Sequence, residues 1–454
     1  MAMSGGFASI PKEIRDKIVE LLFSICRQDH SRTAAYASVC REWQAFFEPK
    51  HFADLFLTPS RVEAFERFVV GEKRKMVNHI NLDVGLWSPS WERDSATQNA
   101  EDNNLLHVIG TLFNSLSTWD KVKDVNPQGL FLEVSGPFRP SLYRCHQSTG
   151  LSSLLEINTI TTLVLRRNFC FQSRPDHLRL LLGSLPALKK LVYQQPEPPG
   201  REGNAEHDQC YEFIFGQGLP ATLTELSIFE KPIDGFSPLS IIQGRGYAPR
   251  DNISSLGLSL AKASRHLEHL SASFAIDARH FLRPFWPQES TDNAEIDAFW
   301  TWNKLETLAL TSQLLAFPKR SSEGEINCLL EAASVAVRRM PKLLTLELWC
   351  GNGNEHGCLF RYTHDPISRS ASLTWQGTWT VDITWRVARS WSETVYQKTG
   401  SGAGIQFEKM VFAAPRITEA VSVFLLLRDR VSTPMSCRNC ELDDEHDIAV
   451  NGNY

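Results

Sequence analysis

Ile160-Thr161-Thr162-Leu163-Val164-Leu165-Arg166-Arg167-Asn168 is the stretch on which the fold turns. An apolar residue is followed by two others, a leucine, one other, a second leucine and a closing Asn. The last two apolar positions lie two apart, which places them on one face of a strand. The first turns inward from the preceding loop. The pattern returns along the chain as Leu223-x-x-Leu226-x-Ile228, Leu305-x-x-Leu308-x-Leu310 and Leu343-x-x-Leu346-x-Leu348. Weaker copies are Val77-x-x-Ile80-x-Leu82, Leu188-x-x-Leu191-x-Tyr193 and Leu267-x-x-Leu270-x-Ala272, and Leu130-x-Leu132 keeps only the end. One such unit cannot cover its own apolar face, so the units must stack. Helical stretches at 177–185 and 325–339 fit between copies, and several copies follow a proline-bearing loop such as Leu185-Pro186-Ala187. The later copies lie roughly 35 to 45 residues apart, longer than the roughly 20–29 of an ordinary leucine-rich repeat. The expectation is an α/β chain with an irregular leucine-rich-repeat-like solenoid over residues 76–350. Its long loops are Trp87–Asn104, Gln194–Gln209 and Ser237–Asn252, and loops of this kind sit on the surface.

Toward the C-terminus the period changes to two. Leu373, Trp375, Trp379, Val381, Ile383, Trp385 and Val387 alternate with Thr374, Gln376, Thr378, Thr380, Asp382, Thr384 and Arg386. This predicts a half-buried strand, or a hairpin folded near Gln376-Gly377, followed by a helical turn at Ser390–Tyr396. Residues 351–430 are thus expected to form a β-rich cap that closes the array. The stretch 431–454 is polar and acidic and is expected to be disordered.

Toward the N-terminus the texture is helical. Pro11 suits a first helical turn, and Ser9 is a suitable cap two residues earlier. Ile14, Ile18, Leu21, Leu22 and Ile25 recur at helical spacing, with charged residues on the other side. Asp29 and Ser31 offer a break. A second stretch carries Ala34, Ala35, Val39, Trp43, Phe46 and Phe47, and Pro49 marks its expected end. Residues 51–75 read as a helical linker.

Ile10-Pro11-Lys12-Glu13-Ile14, then Ile18, then Val39-Cys40-Arg41-Glu42-Trp43 resembles the F-box motif, which opens on Leu-Pro-x-Glu-Ile/Leu and closes on Val-Cys-x-x-Trp. Ile10 replaces the commoner leucine. The resemblance covers about residues 8–50, and an F-box followed by irregular leucine-rich repeats is similar to a large class of fungal F-box proteins. The resemblance implies a substrate receptor of a Skp-cullin-F-box ubiquitin ligase. It implies docking to the Skp-family adaptor, and through it to a cullin, by Ile10, Pro11, Ile14, Ile18, Leu22, Val39 and Trp43. It further implies that the repeats hold a protein substrate and that the chain performs no chemistry itself. An adaptor-binding scaffold that delivers no substrate is the alternative, and an enzyme with an unrecognised site is a third reading that no assembled motif supports. Elementary energetics agree. A module of about 40 residues is at the limit of independent folding. Each Ile, Leu or Phe left in water forgoes roughly 1.5–3 kcal/mol, which a partner surface would recover. The same helices could instead pack as a cap on the array, and the two roles are compatible.

Composition narrows the classes. Of 454 residues 42% are apolar and 22% charged, as in a globular protein of two or three domains, or of one elongated array. The net charge of −5 supplies no global field for nucleic acid or an anionic membrane. The first residues lack a basic n-region and an apolar h-region, and the run Val421–Leu427 is too short to cross a bilayer. Cys40, Cys170 and Cys350 sit in apolar runs, as reduced cysteines do. These features together predict a cytoplasmic or nuclear protein.

No catalytic, metal or cofactor site is expected. Cys437-Arg438-Asn439-Cys440 has only His446 nearby. Gly351-Asn352-Gly353 and Gly400-Ser401-Gly402-Ala403-Gly404 read as turns, the second lacking the P-loop lysine. The 13 histidines form no paired ligand spacing, and no Ser sits in a G-x-S-x-G elbow. Trp375, Trp379 and Trp385 read as a core row. Trp286, Trp300 and Trp302, beside the polar insert Pro287–Asp297, are the better candidates for exposed recognition.

Overall fold

The structure is a computed structural model. It describes residues 7, 10–26, 35–84, 107–120, 125–136, 154–166, 175–195, 203–230, 253–287, 300–316, 323–351, 357–400, 406–411 and 426–427. The chain is α/β and divides into two compact units, one of residues 1–137 with 145–164, the other of residues 138–144 with 165–454. The Cys437-x-x-Cys440 pair, the loops 87–104 and 237–252 and the tail 431–454 lie outside the described residues.

The first unit opens with the helices Lys12–Cys26 and Arg41–Ala53. The second of these continues through Pro49, where a stop was expected. The proline forfeits one backbone hydrogen bond, but the turn around it is held by aromatic packing: Lys50 lies over the rings of Phe23 and Phe46. The helix runs directly into β1 (Asp54–Leu57), so the expected linker at 51–75 is not wholly helical. The helices Pro59–Phe68 and Glu72–Met76 follow. Strand β1 pairs in parallel with β2 (His79–Asp83), which pairs in parallel with β3 (Leu130–Ser135). Ile80 and Leu132 are register partners and both are buried. Gly129 precedes β3 at φ +81°, and a Cβ there would lie 2.2 Å from the Thr161 methyl, so only glycine fits. Thr161 belongs to β4 (Ile160–Leu165), the stretch quoted first, and its hydroxyl donates to the Gln128 carbonyl.

The second unit carries five parallel strands in chain order: β5 (Lys190–Gln195), β6 (Glu225–Glu230), β7 (His269–Asp277), β8 (Thr307–Thr311) and β9 (Thr345–Gly351). Their register aligns the copies of the repeat residue by residue. Leu191, Leu226, Leu270, Leu308 and Leu346 form one column, and Tyr193, Ile228, Ala272, Leu310 and Leu348 the next. All ten are buried. The apolar spacing in sequence thus becomes continuous rows of side chains across the sheet. Helices connect successive strands, as parallel pairing requires: Gly203–Phe213 between β5 and β6, Ile253–Ala263 before β7, and Glu323–Arg338 before β9. The first of these begins inside the segment 194–209 that was expected to be a loop.

The period-two block is only partly a strand. Strand β10 (Gly357–Asp365) pairs antiparallel with both β9 and β11 (Ser370–Gly377), so the hairpin folds at 366–369 and not near Gln376-Gly377. The turn is fixed by Asp365, whose carboxylate accepts from the Ile367 amide and the Ser368 hydroxyl, and Arg369 adopts φ +50°. Residues 378–384 continue without regular ladder bonding, which prolongs the alternation past the strand. The helix Trp385–Thr399 then takes over, longer than the single turn expected, and closes at Gly400 with φ +68°. Strand β12 (Gln406–Val411) pairs in parallel with β11. Trp375 and Trp379 are core, whereas Trp385 is exposed on its helix. The expectation that Trp286, Trp300 and Trp302 are surface residues is overturned: all three are buried. Trp302 stacks on Phe281 and Trp300 and donates its indole N–H to Ser264.

Candidate functional site

Two candidate sites stand out among the described residues, one in each unit. In the first, the helix Lys12–Cys26 divides the single stripe read from the sequence into two. Val19 is buried, and Leu22 and Phe23 are half-buried; Phe23 meets Phe46 and Phe47 of the helix Arg41–Ala53. Arg15, on the same side, pairs with Glu42 at 3.2 Å. The other side repeats at intervals of four, three and four residues: Ile14, Ile18, Leu21, Ile25. Ile14, Leu21 and Ile25 are 52%, 56% and 76% exposed, and Val39 is 60% exposed. Pro11 is exposed, and Ile10 and Ile18 are half-buried. Of the residues that the resemblance implies as contacts, Pro11, Ile14 and Val39 are exposed. Leu22 and Trp43 lie otherwise. Trp43 is half-buried within a ring cluster of Phe7, Tyr36 and Phe47, at centroid distances of 5.4, 5.7 and 5.8 Å. Its first task is to hold the two helices. Leu21 and Ile25, part of the apolar stripe but not of the expected contact set, are more exposed than either.

The second place is the sheet face opposite the helices in the second unit. Alternation along β9 sends Leu346 and Leu348 to one side and Glu347 and Trp349 to the other. The first side is the helix side, because Phe360 and Tyr362, register partners of Leu348 and Leu346, meet Trp391 of the helix Trp385–Thr399. Glu347, on the far side, is 0% exposed. Its carboxylate accepts from the Arg361 Nε at 2.8 Å and from two consecutive backbone amides, Leu426 at 2.9 Å and Leu427 at 3.2 Å. Hydrogen bonds to a charged group contribute about 1.5–3 kcal/mol each, so this arrangement offsets the burial of the carboxylate. Leu427 is buried against Ala309, Trp349 and Leu359, while Leu426 is 64% exposed.

Phe274 completes the cluster. It breaks the regular register of β7 and adopts φ +61°, a conformation rare for a residue with a bulky side chain. Such strain costs about 1–3 kcal/mol and persists only where its surroundings enforce it. Here the Phe274 amide donates to the Thr311 hydroxyl at 2.7 Å, and its ring lies edge-on to Phe229 and Trp349. Three polar atoms of this region, Ser271 Oγ, Ser273 Oγ and Trp349 Nε1, are buried with no hydrogen-bond partner among the described residues.

None of Glu347, Phe274 or Leu427 was anticipated as a site residue. Glu347 did leave a signal. It occupies the position between the two closing leucines of its repeat, where the other strands of the ladder carry Val192, Ser227, Ser271 and Ala309. A carboxylate in that column has no solvent and requires partners. Phe274 and Leu427 gave none, since backbone strain and long-range contact are invisible to periodicity.

Among the described residues no group of three or more His, Cys, Asp or Glu side chains gathers as metal ligands, and no helix is long and apolar enough to cross a membrane. Burial lowers the pKa of Lys398 to about 8, and its ammonium donates to the Met340 carbonyl. Burial also lowers His364 and pushes Cys358, Tyr193 and Tyr362 up. These groups are dispersed and converge on no cavity. Residues 218–432 match a family of unknown function (DUF6546). That stretch contains β6 to β12 and the Glu347 site and excludes the first two helices. No curated protein matches the chain.

Proposed function

We propose that the chain is a non-catalytic receptor of a cullin ubiquitin ligase. The N-terminal helices form an F-box that docks on the Skp-family adaptor, and the repeats form a leucine-rich-repeat-like solenoid that holds a target protein. The observation that carries this reading is the solvent-facing row Ile14, Leu21 and Ile25, with Val39 exposed as well. A helix of a monomer has no reason to repeat aliphatic residues at intervals of four, three and four on its wet side, and contiguous exposed apolar surface marks interaction sites. The F-box resemblance supplies the partner. The in-register columns of the repeat support the solenoid.

The docking surface differs in one respect from the motif reading. Ile14, Leu21, Ile25 and Val39 are the contact set, with Pro11 and Ile18 at its edge, and Trp43 holds the module together. The test is capture of the full-length chain on immobilised Skp-family adaptor. Wild type is retained, and Ile14→Asp with Leu21→Asp is not, while its circular dichroism is unchanged. Retention of a folded double variant at the wild-type level would refute the docking claim. A scaffold that binds the adaptor without delivering a target is distinguished in cells: under the receptor reading some protein gains half-life when residues 8–50 are deleted.

A further inference from the structure

We infer that the far face around Glu347 is a peptide-binding site that the chain fills with its own Leu426-Leu427 turn, in the place that an aliphatic turn of a target protein would take. The inference rests on the receptor reading for the identity of that competitor as a target. The geometry is that of a ligand on a receptor. Two consecutive backbone amides, 79 and 80 residues away in sequence, converge on one fully buried carboxylate. One aliphatic side chain, Leu427, enters an apolar cluster built by Phe274, Trp349, Leu359 and Ala309, while its neighbour Leu426 stays largely in solvent.

Recognition of this kind reads main-chain N–H groups plus a single side chain, so any aliphatic dipeptide able to present two adjacent amides fits it. The receptor side is built independently of the turn. Arg361 orients the carboxylate, Thr311 holds Phe274 in its strained conformation, and Phe229 and Trp349 flank its ring. Strained residues held by their surroundings concentrate at ligand clamps. The Trp349 indole N–H is buried beside the site with no acceptor among the described residues. A longer or differently placed peptide carbonyl would satisfy it. The internal turn therefore lowers the apparent affinity for a target by the fraction of chains in which it is seated.

The test uses the full-length chain and, as probe, a fluorescent peptide with the sequence of residues 421–432. Wild type and Leu427→Asp are titrated with it; the aspartate vacates the cluster and repels Glu347. The expected result is binding at least about tenfold tighter to Leu427→Asp than to wild type, and loss of that gain when Glu347→Ala is added. Equal binding to both, or no binding to a folded Leu427→Asp, overturns the proposal. Should Leu427→Asp fail to fold, hydrogen exchange on wild type decides. The Leu426 and Leu427 amides are expected to exchange faster than those of β9, and faster again with excess peptide. Exchange at the β9 rate, unchanged by peptide, makes the turn a fixed part of the core and overturns the proposal. Adaptor capture by wild type is read in parallel, and its absence would count against the receptor reading and not against this site.

Discussion

Glu347 shows how one buried residue can tie distant parts of a fold together. It is wholly buried, paired with Arg361 and bonded to two amides of a distant turn. Removing one partner of a buried pair leaves the other charged and unsatisfied, which costs about 3–5 kcal/mol. Glu347→Ala is therefore expected to lower the unfolding temperature markedly, and Glu347→Gln less, because the amide oxygen still accepts. A scanning-fluorimetry comparison in which both variants melt like wild type would contradict this. Gly129 is the corresponding point in the first unit. Gly129→Ala places a methyl against Thr161 at a left-handed φ, and should destabilise by about 1–3 kcal/mol. Denaturant titration of that variant checks it. Lys398 gives a pH signature. Its folded pKa of about 8 lies below the ordinary lysine value, so between these two pH values the unfolded chain holds a proton that the folded chain has released. Stability from this group rises with pH across that window and is lower below it. The buried Cys358 and Tyr193, with raised values, act oppositely at high pH, so the readout is the difference between wild type and Lys398→Met. That difference in unfolding temperature should shrink as pH rises from about 8 to 10, and a difference independent of pH would refute it.

Elements show what was legible in the sequence and what was not. The repeat was legible because its two closing leucines must lie on one strand face, and the ladder from Leu191 to Leu346 is that column realised. The period-two block misled for a physical reason. Extended chain alternates its side chains whether or not it is hydrogen-bonded, so Trp379 and Val381 looked like strand when only Ser370–Gly377 is. The polar insert beside Trp300 and Trp302 predicts surface residues, yet Phe281 and Ser264 receive Trp302 from distant elements. In the first helix, periodicity found the apolar positions but could not divide them between an inner row and an outer one. That division changes the experiment. Trp43→Ala removes a half-buried ring from a cluster of four and should lower the stability of the module, by about 1–3 kcal/mol, as well as its adaptor binding. Ile14→Asp and Leu21→Asp change exposed positions, where substitutions away from special features stay within about 0.5 kcal/mol. Thermal melts alongside capture separate the two cases: equal destabilisation by both would contradict the assignment of inner and outer rows.

For the whole molecule, the proposed function assigns the two units separable tasks. The first presents an aliphatic row that is exposed among the described residues. The second presents an ordered sheet face on which the chain's own turn is seated. This division of labour is what a receptor between a ligase and its target requires. Its docking half is the premise on which the rest depends, and it is open to one direct measurement: retention of the full-length chain by immobilised Skp-family adaptor, wild type beside Ile14→Asp/Leu21→Asp. The account predicts a stable complex with wild type and none with the folded double variant. No retention of wild type, or equal retention of both, would contradict it.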